Sequence, residues 1–155
     1  MNILKKSGKG FTLVELLIVM AIIGILAALG VGSYMTAQMR GRDAQRKSDL
    51  KQVSNALELY YADHGQYPVV SDISWGSEFK DVKGTVYFKV LPTDPVASQN
   101  YVYKPVPSAP TQKYQLFAYI ENTQDQDIIT GLSQLCGSKT CNFAVTSANT
   151  NPIEQ

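Results

Sequence analysis

The residues best suited to chemistry lie at the start of the chain. A basic leader ends at Gly10, and an apolar run begins at once with Phe11. Glu15 is the only formally charged residue between Phe11 and Met35. A carboxylate in hydrocarbon is costly unless it lies near the membrane surface or pairs with a cation. Glu15 therefore lies at the interface or pairs with a cation of another chain, such as the α-amino group of Phe11 if the chain is cut after Gly10.

Three carboxylates near the C-terminus form a second candidate group. Glu121, Asp125 and Asp127 follow closely on one another. Calcium takes 6–8 oxygen ligands, of which this cluster could supply only some, and the spacing does not match an EF-hand. We expect a solvated acidic turn, with a calcium site as the weaker alternative and no other cofactor.

The remaining candidates are two cysteines and one histidine. Cys136 and Cys141 have C-x4-C spacing, which is poor for zinc without further ligands and differs from the redox motif C-x-x-C. A structural disulfide is therefore favoured. His64 has no second ligand at metal-binding spacing and is expected to be a turn residue.

Other signals of catalysis and of nucleic-acid binding are weak. The sequence has no phosphate-binding glycine loop, nucleophile elbow or supported catalytic set, so a non-enzymatic chain is predicted. The formal net charge is +1, from 14 basic and 13 acidic residues. Loss of a leader ending at Gly10 would remove three lysines, which leaves no global basic excess for nucleic acid.

The element that must position Glu15 is a long helix. The apolar run from Phe11 to Met35 is about 25 residues long, whereas a bilayer needs roughly 20 and a secretion signal has about 7–15. Removal by signal peptidase near residues 30–32 is the less favoured alternative. Basic residues lie on both sides of the run, so the positive-inside rule does not settle the orientation.

Helical signals continue beyond the membrane segment. Leu50, Val53, Leu57 and Tyr60 form an apolar stripe at helical spacing, and Gly65 is a candidate C-terminal cap. Five cations accompany the stripe: Arg40, Arg42, Arg46, Lys47 and Lys51. They could contact anionic lipid or capture DNA, but interleaved acids favour a solvated face with salt bridges between subunits.

The C-terminal half is predicted to be β-rich. Residues 100–104 and 114–120 are expected to form an antiparallel hairpin, with a third strand at 143–145. Residues 86–90 form a short strand or a helical turn. Trp75 and Phe79 are expected to anchor a loop to the helix. The predicted fold class is α+β, with the second half of a long helix packed against a small antiparallel sheet.

The sequence KGFTLVEL at residues 9–16 closely resembles the class III signal of type IV prepilins and type II secretion pseudopilins. The resemblance implies cleavage after Gly10 by a prepilin peptidase on the cytoplasmic face and N-methylation of Phe11. It also implies that Glu15 attracts the Phe11 amine of a neighbouring subunit in a homo-oligomeric helical filament. A separate ATPase and an assembly platform protein would supply the work.

The resemblance also implies an orientation and a domain organisation. The leader, residues 1–10, would lie in the cytoplasm and be cleaved. Residues 11–37 would span the inner membrane and form the filament core, followed by an exposed amphipathic half at 38–64 and an extracytoplasmic globular β-rich region at 65–155. Gly32 replaces a helix-bending proline of many members, and glycine permits the same bend without forcing it.

A weaker resemblance covers the C-terminal half. QYP at 66–68 and LPTDP at 91–95 resemble landmarks of major pseudopilins, a branch that binds calcium with C-terminal loop carboxylates. VASQN at 96–100 departs from that branch, and the Cys136/Cys141 pair is more similar to the C-terminal disulfide of pilins. We therefore expect a type IV pilus-type subunit, with a secretion pseudopilin as the alternative. A membrane-anchored extracytoplasmic binding protein that never polymerises is the third candidate.

Overall fold

A single long helix dominates the N-terminal part of the chain. In the computed structural model, which describes residues 10–106 and 111–153, helix α1 runs over Leu13–His64. Its end is the one predicted, because Gly65 adopts a φ of 68° and its N–H donates to the Tyr61 carbonyl over 2.8 Å. The chain divides into two compact units, Met1–Gln38 and Met39–Gln155. The second contains the globular fold.

The central sheet of the second unit has three antiparallel strands, which lie side by side in the order 102–106 (β3), 113–118 (β4) and 143–146 (β7). Tyr103 pairs with Leu116, which in turn pairs with Val145. The predicted hairpin and third strand are thus confirmed. Two short hairpins, β1-β2 and β5-β6, accompany the sheet. The strands are β1 Phe79–Lys80, β2 Val86–Phe88, β3 Val102–Val106, β4 Lys113–Ala118, β5 Leu135–Cys136, β6 Lys139–Thr140 and β7 Phe143–Thr146. A short 3-10 helix spans Val70–Asp72.

One face of this sheet packs against α1. Leu50, Val53 and Leu57 are completely buried, as the helical stripe predicts, and share a core with Tyr114 and Leu116 of β4. Burial of such side chains is the main favourable term in folding. The α+β architecture predicted from the sequence is therefore present.

The aromatic anchors lie at the edge of this core. The Phe79 ring is fully buried, with its centroid 5.4 Å from that of Tyr60 on α1. The half-buried Trp75 packs edge-on against Tyr101 at the same centroid distance. His64, the last residue of α1, stacks on Tyr60 at 4.1 Å. His64 is therefore the final helical residue rather than the turn residue expected from the sequence.

The opposite face of the sheet packs against a disulfide. Cys136 and Cys141 are joined, with their Cα atoms 5.2 Å apart. Both are buried with Phe117 of β4, whose side chain points away from the α1 core. Alternation along β4 explains the arrangement, because successive side chains of a strand point to opposite faces.

The β5-β6 hairpin approaches residues 98–100 closely. The Ser138 N–H donates to the Ser98 carbonyl over 3.1 Å. Gly137, at the turn, has a φ of 77°, and a Cβ there would collide with the Ser98 carbonyl oxygen and lie 2.9 Å from the Gln99 Cα. Glycine is therefore required at position 137 for two reasons, the positive φ and the close contact with the backbone of residues 98–99.

Replacing Gly137 with Ala should lower the free energy of unfolding more than replacing Gly131. Both glycines have positive φ, which costs an L-residue about 1–2 kcal/mol. A Cβ at Gly131 meets nothing within 4 Å, whereas one at Gly137 meets backbone. Chemical denaturation of the full chain in detergent micelles measures the difference. Equal losses for the two variants would contradict the close approach.

Candidate functional site

The predicted cleavage bond lies outside the helix. Gly10 and Phe11 precede the first residue of α1, Leu13, and both are exposed. A Cβ on Gly10 would meet nothing within 4 Å. The described part of the fold therefore places no demand for glycine there. The bond between Gly10 and Phe11 is thus exposed, non-helical backbone, and cleavage there stays a prediction.

Glu15 is held by Thr12 in this single chain. The Thr12 N–H and hydroxyl donate to Glu15 Oε2 over 2.9 and 2.7 Å, and the Glu15 N–H donates to Thr12 Oγ1 over 3.2 Å. This is a capping box, which satisfies two amides at the start of a helix. Thr12 was not among the predicted site residues, although a Thr three residues before a Glu at the start of an apolar run is the recognised signal of a capping box.

The start of α1 suits a carboxylate in a second way. The N-terminal end of a helix carries a partial positive charge that stabilises anions in its first turn. Glu15 is the acidic residue of that turn. Thr12 and the helix terminus thus stabilise the charge within one chain. Pairing of Glu15 with the Phe11 amine of a neighbour stays a prediction.

The first unit presents an almost entirely apolar helix surface. Every described side chain from Phe11 to Ala28 is exposed, including Leu16, Ile18 and Leu26. By length and composition α1 is able to cross a membrane. Exposed apolar patches of this extent mark sites of membrane or protein contact. Such a surface suits contact with lipid or with other apolar helices.

The second unit contains a buried ionic cluster on α1. Arg46 has no exposed surface, and its guanidinium donates to both carboxylate oxygens of Asp94 over 2.8 and 2.9 Å. Its third nitrogen donates to Asp43 over 2.8 Å and to Glu121 over 2.7 Å. We call Arg42, Asp43, Arg46, Asp94 and Glu121 the Arg46 cluster. A buried charge is tolerated only with such pairing and hydrogen bonding.

Glu121 ties the end of β4 to the helix. Arg42 donates to its two carboxylate oxygens over 2.7 and 2.6 Å. These bonds, with those from Arg46, outweigh the effect of burial and lower the pKa of Glu121 to about 2. Asp43 accepts from the N–H groups of Glu121 and Asn122 over 2.9 and 2.8 Å. One turn of α1 therefore fixes both the side chain and the backbone at residues 121–122.

The other two calcium candidates contact a different cation. Asp125 and Asp127 each lie 2.6 Å from Lys47 Nζ. Glu121 is thus separated from them by its partners, and the three predicted ligands do not form one set. Among the residues that the structure describes, no group of three or more histidine, cysteine or acidic side chains is arranged to hold a metal ion.

The interpretation of the basic residues as a solvated face is wrong for part of the group. Arg46 is buried, and Arg42, Arg46 and Lys47 bind carboxylates of their own chain. Arg40 and Lys51 are exposed. The sequence could not reveal this, because all their partners except Asp43 lie 48 to 80 residues away. Three of the five cations are therefore engaged within the fold rather than presented together to DNA or lipid.

Comparisons with known proteins agree on the N-terminal segment. Residues 5–31 match the family described as the prokaryotic N-terminal methylation motif. The chain is 30% identical over 122 residues to the type II secretion system core protein G of Pseudomonas aeruginosa, covering 74% of this chain and 86% of that protein. The same protein of Aeromonas hydrophila is 32% identical over 99 residues, covering 59% and 69%.

A type IV pilin is also similar. The type IV major pilin protein PilA of Myxococcus xanthus is 35% identical over 79 residues, which is 51% of this chain and 34% of PilA. No solved structure gives a significant match. The match of 122 residues to core protein G extends well beyond the 52 residues of α1. Similarity therefore reaches the globular unit as well as the helix.

Replacing Arg46 with Met should destabilise the globular unit by about 3–5 kcal/mol, because Asp94 and its neighbours would be left buried without their cation. Arg40→Met is the matched control on the same helix and should change the free energy of unfolding by less than about 0.5 kcal/mol. Chemical denaturation of both variants in micelles measures this. Similar losses of unfolding free energy in Arg46→Met and Arg40→Met would contradict a stabilising role for the Arg46 cluster.

The Arg46 cluster should also make stability fall in acid. The pKa of Glu121 is depressed in the folded state, so its contribution is complete above its ordinary pKa of 4.5 and is lost as the pH falls towards about 2. A difference of one pH unit between the folded-state and unfolded-state pKa of a group contributes about 1.4 kcal/mol to the free energy of unfolding. Between about pH 5 and pH 2, the free energy of unfolding should fall less steeply with decreasing pH in Glu121→Gln than in the wild type, as measured by chemical denaturation. An unchanged slope would exclude Glu121 as its source.

Proposed function

Because this chain belongs to the family of type IV pilins and type II secretion pseudopilins, we propose that it is cut after Gly10 and polymerises through α1 into a helical filament. The observation that carries the proposal is the exposed apolar start of α1 with its single carboxylate, Glu15, in the first turn. A surface of that kind needs either lipid or other copies of the same helix.

Processing supplies the charge that Glu15 needs. A prepilin peptidase cuts the exposed bond after Gly10 at the cytoplasmic face of the inner membrane, and methylation follows at Phe11. The leader then remains in the cytoplasm, and the globular unit lies outside. The new α-amine of Phe11 is a cation two positions before the helix begins. Cleavage thus adds a cation, the Phe11 amine, at the same end of the chain as the Glu15 carboxylate.

Assembly would pair these groups between subunits. Filament growth is a heterologous association that does not close, since one surface of a subunit meets a different surface of the next. A carboxylate entering a bundle of apolar helices requires a partner, because an unpaired charge there is strongly unfavourable. Pairing of Glu15 with the Phe11 amine of a neighbour therefore sets the register. In this step Thr12 releases or shares the carboxylate that it holds in the single chain.

Other components must supply the work of assembly. The sequence contains no nucleotide-binding motif, so extrusion of the subunit from the membrane is assigned to a separate ATPase acting through an assembly platform protein. The relatives are named as a secretion-system core protein and a pilin rather than as enzymes. Those names fit the prediction of a non-enzymatic structural subunit.

Within the family, the similarity to core protein G supports a secretion pseudopilin of the major type. It spans 86% of that protein, compared with 34% of PilA. A surface pilus is the second candidate, supported by the disulfide between Cys136 and Cys141. Deletion of the gene separates the two. Loss of exported proteins from the medium without loss of surface fibres supports the first, and loss of fibres with normal export supports the second.

Replacing Glu15 with Gln should abolish filaments while leaving cleavage intact, because the charge is removed but the exposed Gly10–Phe11 bond is not. Mass spectrometry of the mature N-terminus should find methylated Phe11 in both the wild type and the variant. Electron microscopy of sheared cell-surface and membrane fractions should find filaments only in the wild type and in the control Glu78→Gln, which neutralises an exposed acid of the globular unit.

Two outcomes would reject the proposal. An uncut Met1, or a mature chain starting near Ser33, would exclude prepilin processing and favour an anchored binding protein or a secreted one. Normal filaments from Glu15→Gln would remove the carboxylate from its assigned role.

A further inference from the structure

The acidic turn after β4 is arranged around one lysine. Lys47 Nζ donates to Asp125 Oδ1 and Asp127 Oδ2, both over 2.6 Å. It also lies 5.7 Å from the centroid of the Phe143 ring, within the range of a cation–π contact. An ammonium has three N–H donors. The two carboxylates of the turn and the Phe143 ring of β7 thus surround the ammonium that α1 supplies.

The backbone of the turn depends on the same carboxylate. The Asp127 N–H donates to Asp125 Oδ1 over 3.0 Å, and this is the oxygen that accepts from Lys47. Asp125 in turn donates through its N–H to the Asn122 carbonyl over 3.0 Å. Asp125 is therefore fixed on one side by the turn and on the other by the helix. Lys47 completes the arrangement that gives the turn its shape.

Calcium, which the family resemblance implies for this region, does not fit the residues present. Calcium requires 6–8 oxygen ligands. Both carboxylate oxygens of Glu121 accept hydrogen bonds from arginines of the Arg46 cluster. A divalent cation between Asp125 and Asp127 would lie against the Lys47 ammonium, where like charges repel.

We propose that Lys47 is the built-in cation of this turn, and that it holds residues 124–128 on α1 without a metal ion. The inference concerns the single chain and is independent of filament assembly. Partial burial acts to lower the pKa of Lys47, but the bonds to Asp125 and Asp127 outweigh it and raise the pKa. The same bonds lower the pKa of Asp125. Both groups are therefore charged at neutral pH.

Asp125 contributes more to this contact than Asp127. The side chain of Asp125 is 18% exposed and that of Asp127 is 61% exposed. Exposed ion pairs contribute little, because water and salt screen them. Lys47 itself is 28% exposed, and it packs beside the Phe143 ring. The pair of Lys47 with Asp125 is therefore the part of the contact that holds the turn.

The test uses amide hydrogen exchange of the full chain in detergent micelles. In the wild type, the exchange rates of residues 124–128 should be the same in millimolar calcium and in excess chelator, with magnesium as the ionic control. In Lys47→Met, exchange of the same residues should rise by about tenfold or more, because the local opening of the turn becomes easier. Lys51→Met, on an exposed position of the same helix, should leave it unchanged.

Each alternative result would overturn the inference. Protection of the wild-type turn by calcium but not by magnesium would identify a metal site. Equal exchange in the Lys47→Met and Lys51→Met variants would show that Lys47 does not hold the turn. Amides around Leu50 and Leu57 report whether the globular unit of each variant is folded. The calcium comparison on the wild type is valid even if Lys47→Met fails to fold.

Discussion

The burial of Arg46 is the constraint on which the globular unit depends. A guanidinium with no exposed surface requires carboxylates at fixed positions, and Asp43, Asp94 and Glu121 provide them. Asp43 comes from α1 itself, Asp94 from the loop before β3, and Glu121 from the end of β4. The hydrophobic stripe brings the helix and sheet together, but it is non-directional. The charged hydrogen bonds of Arg46 fix how the loop and the end of the strand meet the helix.

The disulfide hairpin supports this cluster from a distance. Its turn lies against residues 98–100, and Ser138 donates to the Ser98 carbonyl. Those residues follow Asp94, whose carboxylate accepts from the Val96 N–H over 2.8 Å while it binds Arg46. Residues 96–100 and the cysteine pair are the two departures from the major pseudopilin pattern, and the turn between the two cysteines contacts residues 98–100. They are therefore parts of one local arrangement.

The N-terminal helix obeys a different constraint. The described apolar side chains at its start, from Phe11 to Ala28, are exposed, so the stable surroundings of this part are lipid or copies of itself. Within the single chain, Thr12 satisfies the carboxylate of Glu15. The globular unit is held by long-range ion pairs and a packed core, whereas the apolar start of α1 is exposed.

The sequence determined the features that depend on neighbouring residues. The apolar run, the helix end at Gly65 and the stripe from Leu50 to Leu57 follow from local spacing, and so do the central hairpin and the third strand. The motif around Gly10, Phe11 and Glu15 was sufficient to indicate the family. Only the tertiary structure decided the role of the charged residues. Arg46 lies 75 residues from Glu121, and Lys47 lies 78 from Asp125. Local charge pattern makes those residues look solvated, and only folding brings the opposite charges together and removes them from water.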